Sequence, residues 1–429
     1  MCGLNNSEVI NKKILIHSLV FSPDGVSTAY LYNDIALRFK EEGYEVVVLT
    51  TTPHYNLLES EISKQPLRSK LGGLYYLSDF QGIRVIHISQ KKFKSSILRI
   101  MGFIYWHFLA SFLGLKEKDI KVILSPSPPL TIGIINWAIG KIKGAKVIYN
   151  VQEIYPDFLI NQGKLKMGLA ISLLKSMERF VYNSSDAVTT IDKVFYNTIL
   201  PRFNKPEKLK IIPNFVDVQL FKPVEASREL LNDEIFPAKP AILKVMYAGN
   251  LGHAQDWVPL IELAKASRNE KIEFWIIGEG VMKEFLEQQV AKYSLSNIHI
   301  VPYQNRELMP ILIAYADLHF IFMSHEMEGQ GFPSKVYSIL ACAKPIMVIS
   351  GSDTPIFNFL EALNCAYLIT ERSLVLQLKR MLEITGRLLS DKSELNIMGR
   401  NGFDHIQENY SKDIITMKYV SLVDSLLGK

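Results

Sequence analysis

The chain has 429 residues, 48% of them hydrophobic and 21% charged, and its 48 Lys plus Arg against 43 Asp plus Glu give a formal net charge of +5. These are ordinary globular proportions, which exclude a disordered, collagen-like or coiled-coil chain, and so small a basic excess offers no concentrated cationic face for nucleic acid. At ~150 residues per domain the length predicts two or three domains.

The opening stretch Met1–Lys13 is polar, and the first apolar run, Ile14-Leu15-Ile16, is too short for a secretory signal core. Cys2, Cys342 and Cys365 are few, odd in number and far apart, which suits neither a disulfide framework nor a zinc site, so a cytoplasmic location is expected. Lys13–Val20 reads as a strand. Ser27–Glu42 reads as an amphipathic helix with Leu31, Ile35, Ala36 and Phe39 on one face, stopped by Gly43. Glu45–Thr50, Ile83–Ile88, Val122–Ser125, Lys146–Val151 and Ala187–Thr190 read as further strands. Near-continuous Val/Ile runs separated by helical patterns predict a parallel sheet covered on both faces. Ile97–Leu115 approaches the length of a membrane span. Arg99 and His107 interrupt it, so it reads as a helix lying against the sheet or in a membrane interface.

Residues 213–240, rich in proline and charge, read as a linker region. The pattern then repeats, with strands at Lys244–Ala248, Glu273–Ile277, Ile298–Val301, Leu318–Phe322 and Ile346–Ile349 and helices including Trp257–Ser267 and Val281–Tyr293. The α/β reading is therefore two doubly wound domains facing one another across a cleft. Their boundaries are 1–215, a linker region at 216–240, and 241–410. The strongly helical Glu394–Leu427 ends in a segment, 411–429, expected to cross back to the first domain.

Ligands of such sheets bind at the carboxyl ends of the strands. The loop after the first strand, FSPDGVST, holds Asp24 and Gly25 but lacks the G-x-G-x-x-G of a dinucleotide site. It reads equally as a polar substrate contact or a plain capped turn. Gly249-Asn250-Leu251-Gly252 lets backbone approach a ligand closely. In Gly329-Gln330-Gly331-Phe332-Pro333-Ser334-Lys335, a flexible loop opens a helix whose free N–H groups and lysine suit a diphosphate, although the Walker spacing is absent. Gln152-Glu153-Ile154-Tyr155-Pro156-Asp157 supplies two carboxylates. Glu153 is a candidate base, and Asp157 is either a site residue or a helix cap. His17, His54, His87, His107 and His253 show no metal-ligand spacing. His17 and His87 read as strand histidines, His54 and His253 as loop residues open to a functional role.

Taken together, the segments PDGVSTAYLYNDIALRFKEEGYEVVVLTTTPHYN (23–56), NVQEIYPD (150–157), KIIPNFVD (210–217), YAGNLGHAQDW (247–257), IIGEG (276–280) and GFPSKVYSILACAKPI (331–346) resemble the retaining GT-B glycosyltransferases of bacterial polysaccharide synthesis. Within them the nearest likeness is to the capsule, O-antigen and colanic acid fucosyl or N-acetylfucosaminyl transferases. The resemblance implies a GT-B fold of two Rossmann-like domains and metal-independent transfer from a nucleotide-sugar, UDP before GDP, with no cofactor besides that donor substrate. It implies an undecaprenyl-linked acceptor and peripheral contact with the inner leaflet. The residues so implied are Glu153, Lys335 and Gln330 for catalysis. For the donor they are Gly249, Asn250, Gly252, Gly278, Glu279, Gly280, Tyr303, Gly331, Phe332, Ser334 and Ser338. For the acceptor they are Asp24, Gly25, His54, Tyr55 and Asp157.

The chain departs from the family where many relatives carry two glutamates, here Gln330 and Ser338, and an arginine, here Asn250. Lys335 reads as the compensating cation, while Glu326 and Glu328 lie nearby without an assigned role. Two other readings stand beside this one: a UDP-sugar 2-epimerase on the same scaffold, and a non-catalytic GT-B scaffold subunit.

Overall fold

The computed structural model describes residues 12–57, 59–89, 95–161, 165, 168–224, 231–237, 242–328 and 332–428. The chain forms two compact units. One runs to Pro213 and takes in the stretch from Ile415 onward; the other spans Asn214–Ile414.

The first unit holds nine strands: β1 Lys13–His17, β2 Glu45–Thr51, β3 Arg68–Lys70, β4 Tyr75–Phe80, β5 Ile83–Ile88, β6 Ile120–Pro126, β7 Lys146–Val151, β8 Ala187–Thr190 and β9 Leu209–Ile211. They lie in the order β3-β4-β5-β2-β1-β6-β7-β8-β9. All pairs are parallel except β3 with β4 and β4 with β5. The central strands are buried along nearly their whole length, as apolar runs in a sheet covered on both faces must be. The helix Ser27–Glu41 buries Leu31, Tyr32, Ile35 and Phe39 on one stripe, and Gly43, in the left-handed region, lies just past its end. The C-terminal segment is tied to this unit by the Arg38 guanidinium donating to Thr416 and the Tyr44 hydroxyl donating to Asp424 at 2.5 Å.

The second unit holds β10 Leu243–Ala248, β11 Ile272–Ile277, β12 Ile298–Val301, β13 Leu318–Phe322, β14 Ile346–Ile349 and β15 Ala366–Ile369. All pairs are parallel, in the order β12-β11-β10-β13-β14-β15. Alternate residues feed opposite faces of the sheet: Phe274 and Ile276 join one core with Trp257 and Phe320, while Trp275 and Ile277 join another with Met246. Each such side chain contributes roughly 1.5–3 kcal/mol through burial. The strand order reverses between β10 and β13, and in the first unit between β1 and β6. Loops leaving the carboxyl ends of these strands therefore border the crevices where ligands of such sheets bind.

Several expectations need correction. The first strand ends at His17 rather than Val20, and the edge hairpin β3–β4 and the short β15 were not predicted. β3 is wholly exposed and β15 has four residues, so neither shows a long apolar run. The strongly helical Glu394–Leu427 consists of two helices, Ser393–Asn409 and Lys412–Leu426, parted where Ser411 bridges to Val216. Parts of the expected linker are packed: Val216 and Phe221 join one core cluster of the second unit, Leu231 and Phe236 another. Proline and charge there hid the few apolar anchors.

Candidate functional site

In the second unit the loops after β10 and β11 run together backbone against backbone. Gly249 N–H donates to Ile277 O, and Leu251 N–H to Glu279 O, each at 2.9 Å. A Cβ on Gly278 would stand 1.9 Å from Gly249 O, and one on Gly280 would stand 2.3 Å from Leu251 O; both residues also have φ near +150°, at +147° and +157°. Only glycine permits that approach in that conformation. The spacing of glycines in the two loops is thus a condition of the loops touching at all.

Lys335 opens the helix Lys335–Ala341, with Ser334 as its N-cap residue. Its Nζ lies 3.7 Å from the centroid of the Tyr247 ring and donates to the Tyr247 hydroxyl. That hydroxyl in turn donates to Asn250 O at 2.8 Å. Tyr247 is buried and braced edge-on against Trp257. A Cβ on Gly249 would stand 2.8 Å from Lys335 Nζ, so the lysine lies directly over the glycine loop. No carboxylate pairs with Lys335 among the described residues, and burial pushes its ammonium down to about 7. A cation desolvated without a counter-anion is electrostatically incomplete, and an anionic ligand completes it.

The structure thus brings Gly249, Asn250, Gly252, Gly278, Glu279, Gly280 and Lys335 into one loop cluster. Other expected donor residues stand differently. Phe332 packs on Tyr337 and Phe359, at 5.0 and 5.1 Å between ring centroids. Ser338 Oγ donates to Lys335 O within its own helix. Tyr303 follows β12 and is half-buried. The Glu279 carboxylate is taken by Lys283 at 2.8 Å. Gln330 and Gly331 lie outside the described residues. Glu328, left without a role by the sequence, accepts from Gly351 N–H at 2.9 Å and from Arg372 at 2.6 Å, which ties two loops together.

Sequence reasoning missed Tyr247 and Gln255. Buried Gln255 accepts from Phe322 N–H at 3.1 Å and so ties the loop after β10 to the end of β13. For Tyr247 a signal existed: a hydroxyl two residues before the glycine loop, at the end of the strand where the order reverses.

In the first unit the Asp24 carboxylate is 2% exposed. Its Oδ1 accepts the backbone N–H groups of His54 and Tyr55, both at 2.7 Å. Its other oxygen is buried without a partner, and burial raises its pKa against the pull of those hydrogen bonds. Gly25 N–H donates to Tyr55 O, and a Cβ on Gly25 would stand 2.7 Å from Asn56 O. Asp24, Gly25, His54 and Tyr55 are therefore one structure, the loop after β1 clamped on the loop after β2.

After β7, the Ser127 hydroxyl donates to Glu153 O and accepts from Gln152 and Glu153 N–H, at 2.9, 3.0 and 3.2 Å, which fixes the loop backbone. The Glu153 carboxylate has no hydrogen-bond partner among the described residues, and burial pushes its pKa up to about 7. A carboxyl so poised near neutrality can take or give a proton. Asp157, by contrast, pairs with Arg202 at 2.5 Å, and Arg202 also bonds buried Glu178, so its carboxylate is engaged in a structural ion network.

The strand histidines are internal: His17 bonds Asn136 at 2.7 Å and His87 bonds Ser78 at 2.7 Å, and burial lowers each to about 4. His253 is exposed. Cys342 and Cys365 are buried and unpaired. No group of His, Cys, Asp and Glu that could hold a metal occurs among the described residues.

Two Rossmann-like parallel sheets with these strand orders are the GT-B glycosyltransferase fold. The structure of HepE from Anabaena in complex with UDP and glucose superimposes with a TM-score of 0.72 over 97% of this chain and 100% of HepE, at 12% identity. Residues 232–402, which lie within the second unit, match the family model described as Glycosyl transferases group 1. In sequence the chain is 24% identical over 339 residues to the colanic acid biosynthesis glycosyl transferase WcaI of Escherichia coli K12, covering 77% of this chain and 81% of the relative. It is also 24% identical over 321 residues to the glycosyltransferase WbjE of Pseudomonas aeruginosa, covering 72% and 75%.

Proposed function

We propose that the chain is a glycosyltransferase of bacterial surface polysaccharide synthesis. It moves a sugar from a nucleotide-diphosphate donor, UDP before GDP, to a lipid-linked saccharide, with retention at the anomeric carbon and without a metal ion. The finer assignment is to the fucosyl or N-acetylfucosaminyl subgroup, acting in the cytoplasm in peripheral contact with the inner leaflet. The observation that carries the reading is Lys335: a cation with no counter-anion among the described residues, held over a loop of glycines. The group 1 domain and the names of the two relatives support it.

In the reaction the bond from the anomeric carbon to the donor's β-phosphate oxygen breaks, and the nucleoside diphosphate leaves with the electron pair. The acceptor hydroxyl oxygen forms its bond to that carbon on the same face. Its proton passes to a base, the role assigned to Glu153. Charge grows on the leaving diphosphate as the bond breaks, so a fixed cation and backbone donors there lower the barrier more than they tighten the ground state. Lys335 has that part, together with the N–H groups of Asn250 and Gly252, since those of Gly249 and Leu251 are bonded to Ile277 O and Glu279 O. Gln330 and Ser338 take the positions of the family's glutamates as hydrogen-bonding rather than charged contacts.

The test is product analysis. The purified chain is incubated with UDP- and GDP-sugars and an undecaprenyl-diphosphate-linked saccharide, in EDTA, and the new glycosidic bond is assigned by NMR. A product with the donor's anomeric configuration supports the reading. A rearranged free nucleotide-sugar without acceptor would instead make the chain an epimerase, and neither relative reported above is named as one.

A further inference from the structure

Inside the first unit, a buried hydrogen-bond chain leads from the loop that carries Glu153 to the C-terminal helix. Its centre is Asn150, the first residue of the NVQEIYPD segment and the next to last of β7. Asn150 is buried, as are Tyr32 on the helix Ser27–Glu41, Thr189 on β8 and Tyr419 on the helix Lys412–Leu426. Asn150 Oδ1 accepts from the Tyr32 hydroxyl at 3.0 Å and from Gln152 Nε2 at 2.6 Å. Asn150 Nδ2 donates to Thr189 Oγ1 at 2.9 Å. The Thr189 hydroxyl is in turn hydrogen-bonded to the Tyr419 phenol. The loop is therefore gripped twice. Ser127 holds the backbone N–H groups of Gln152 and Glu153, and Asn150 holds the Gln152 side chain.

Counting donors and acceptors fixes the sense of each link. A threonine hydroxyl has one hydrogen to give. Thr189 already accepts from Asn150, so its hydrogen serves the Tyr419 oxygen. Turning the Asn150 amide over would point its NH2 group at two other donors, Tyr32 and Gln152. While Tyr419 draws the Thr189 hydrogen away, that flipped amide would also meet Thr189 with acceptor facing acceptor. The amide thus has one satisfied orientation. Without the Tyr419 hydroxyl, the Thr189 hydrogen can turn toward Asn150, the flipped amide gains a partner, and Gln152 loses its acceptor. A buried polar network holds one geometry when every member is satisfied and loses definition when one is removed.

We infer that Asn150, Thr189 and Tyr419 are positioning residues for Glu153, through which the C-terminal helix sets the loop that presents the carboxylate. The effect on rate rests on the reading of Glu153 as the base of the transfer; the hold on the loop is argued from the hydrogen bonds alone. The same helix has a second tie, from the Tyr44 hydroxyl to Asp424, which runs through a different pair of residues and so supplies a matched control.

The experiment compares Tyr419→Phe and Tyr32→Phe with Tyr44→Phe, each of which keeps the ring and deletes one hydroxyl. On the full chain, kcat and donor KM are measured with UDP- or GDP-sugar and the undecaprenyl-diphosphate-linked saccharide. Backbone hydrogen exchange over residues 150–157 is followed by mass spectrometry. In Tyr419→Phe and Tyr32→Phe, kcat should fall about fivefold to tenfold with donor KM within about twofold of the parent, and exchange over 150–157 should quicken by about fivefold or more. Tyr44→Phe should leave all three at parent values. Unchanged exchange in Tyr419→Phe, or an equal increase in Tyr44→Phe, overturns the inference. So does a rise in donor KM that matches the fall in kcat, which would assign the chain to donor binding. Quickened exchange without loss of kcat is decided by Glu153→Gln. If that variant loses transfer, the inference falls; if it keeps transfer, the hold on the loop stands and the base assignment of Glu153 falls instead.

Discussion

Lys335 Nζ lies 3.7 Å from the centroid of the Tyr247 ring and donates to the Tyr247 hydroxyl, although the two residues are 88 positions apart. The ring face supplies partial negative charge and the hydroxyl a hydrogen bond, but neither neutralises the ammonium. Tyr247 therefore holds the cation in place without cancelling it, which is what a site for an arriving diphosphate requires.

Tyr247→Phe keeps the ring and deletes the hydroxyl that Lys335 and Asn250 O share. The expected loss in nucleotide affinity is about fivefold to tenfold, corresponding to roughly 1 kcal/mol for the hydrogen bonds removed. Titration calorimetry measures it. Affinity equal to that of the parent chain would mean that the hydroxyl does not orient the lysine.

The lowered Lys335 pKa makes nucleotide binding a proton-linked event. Above pH 7 the free ammonium is largely deprotonated, and a bound diphosphate restores its charge by taking a proton from solution. Binding at pH 8 should take up nearly one proton, read from calorimetric enthalpies in buffers of different ionisation enthalpy. Uptake should vanish by about pH 6, where the lysine is already charged. In Lys335→Ala, turnover should disappear while the fold survives.

Gly278→Ala would put a methyl group 1.9 Å from Gly249 O in a backbone conformation that side chains disfavour. The two loops must separate, at a cost of more than about 3 kcal/mol. Chemical denaturation should show that loss, together with loss of nucleotide binding. Gly144→Ala, whose new methyl group meets nothing within 4 Å, serves as the comparison for the effect of a positive φ alone.

Glu153 makes stability depend on pH. Its carboxyl is held near 7 in the folded chain against an ordinary value of 4.5, so the folded state keeps a proton that the unfolded chain releases. Stability from this group is present at low pH and lost as pH rises from about 4.5 through 7, amounting to about 3 kcal/mol above that window. Glu153→Gln should match the parent chain near pH 4.5 and exceed it at pH 8 in denaturant titrations. The same variant should lower transfer more than donor binding, and equal losses in both would assign Glu153 to structure.

Much of the fold was legible because a parallel sheet covered on both faces demands unbroken Val/Ile runs, and runs such as Glu45–Thr51 and Lys146–Val151 are unmistakable. The glycine loop at Gly249–Gly252 was legible from its own residues, whereas Gly278 and Gly280 came through the family resemblance, and it is the structure that gives their reason: close backbone approach excludes every other residue at both. Pairings across long separations were not legible. Nothing local to Lys335 announces Tyr247, nor does Asp157 announce Arg202, 45 positions on, although that pair turns a candidate site carboxylate into a structural one. The edge hairpin β3–β4 was hidden because exposed edge strands need no apolar repeat.

The central claim is that Lys335 and the glycine loops form a nucleotide-diphosphate site, and calorimetry of UDP, GDP and ADP binding in EDTA tests it most directly. The account predicts saturable binding of one nucleotide, UDP foremost, that is lost in Lys335→Ala. Absence of binding by all three nucleotides, or equal binding by the parent chain and Lys335→Ala, would contradict it.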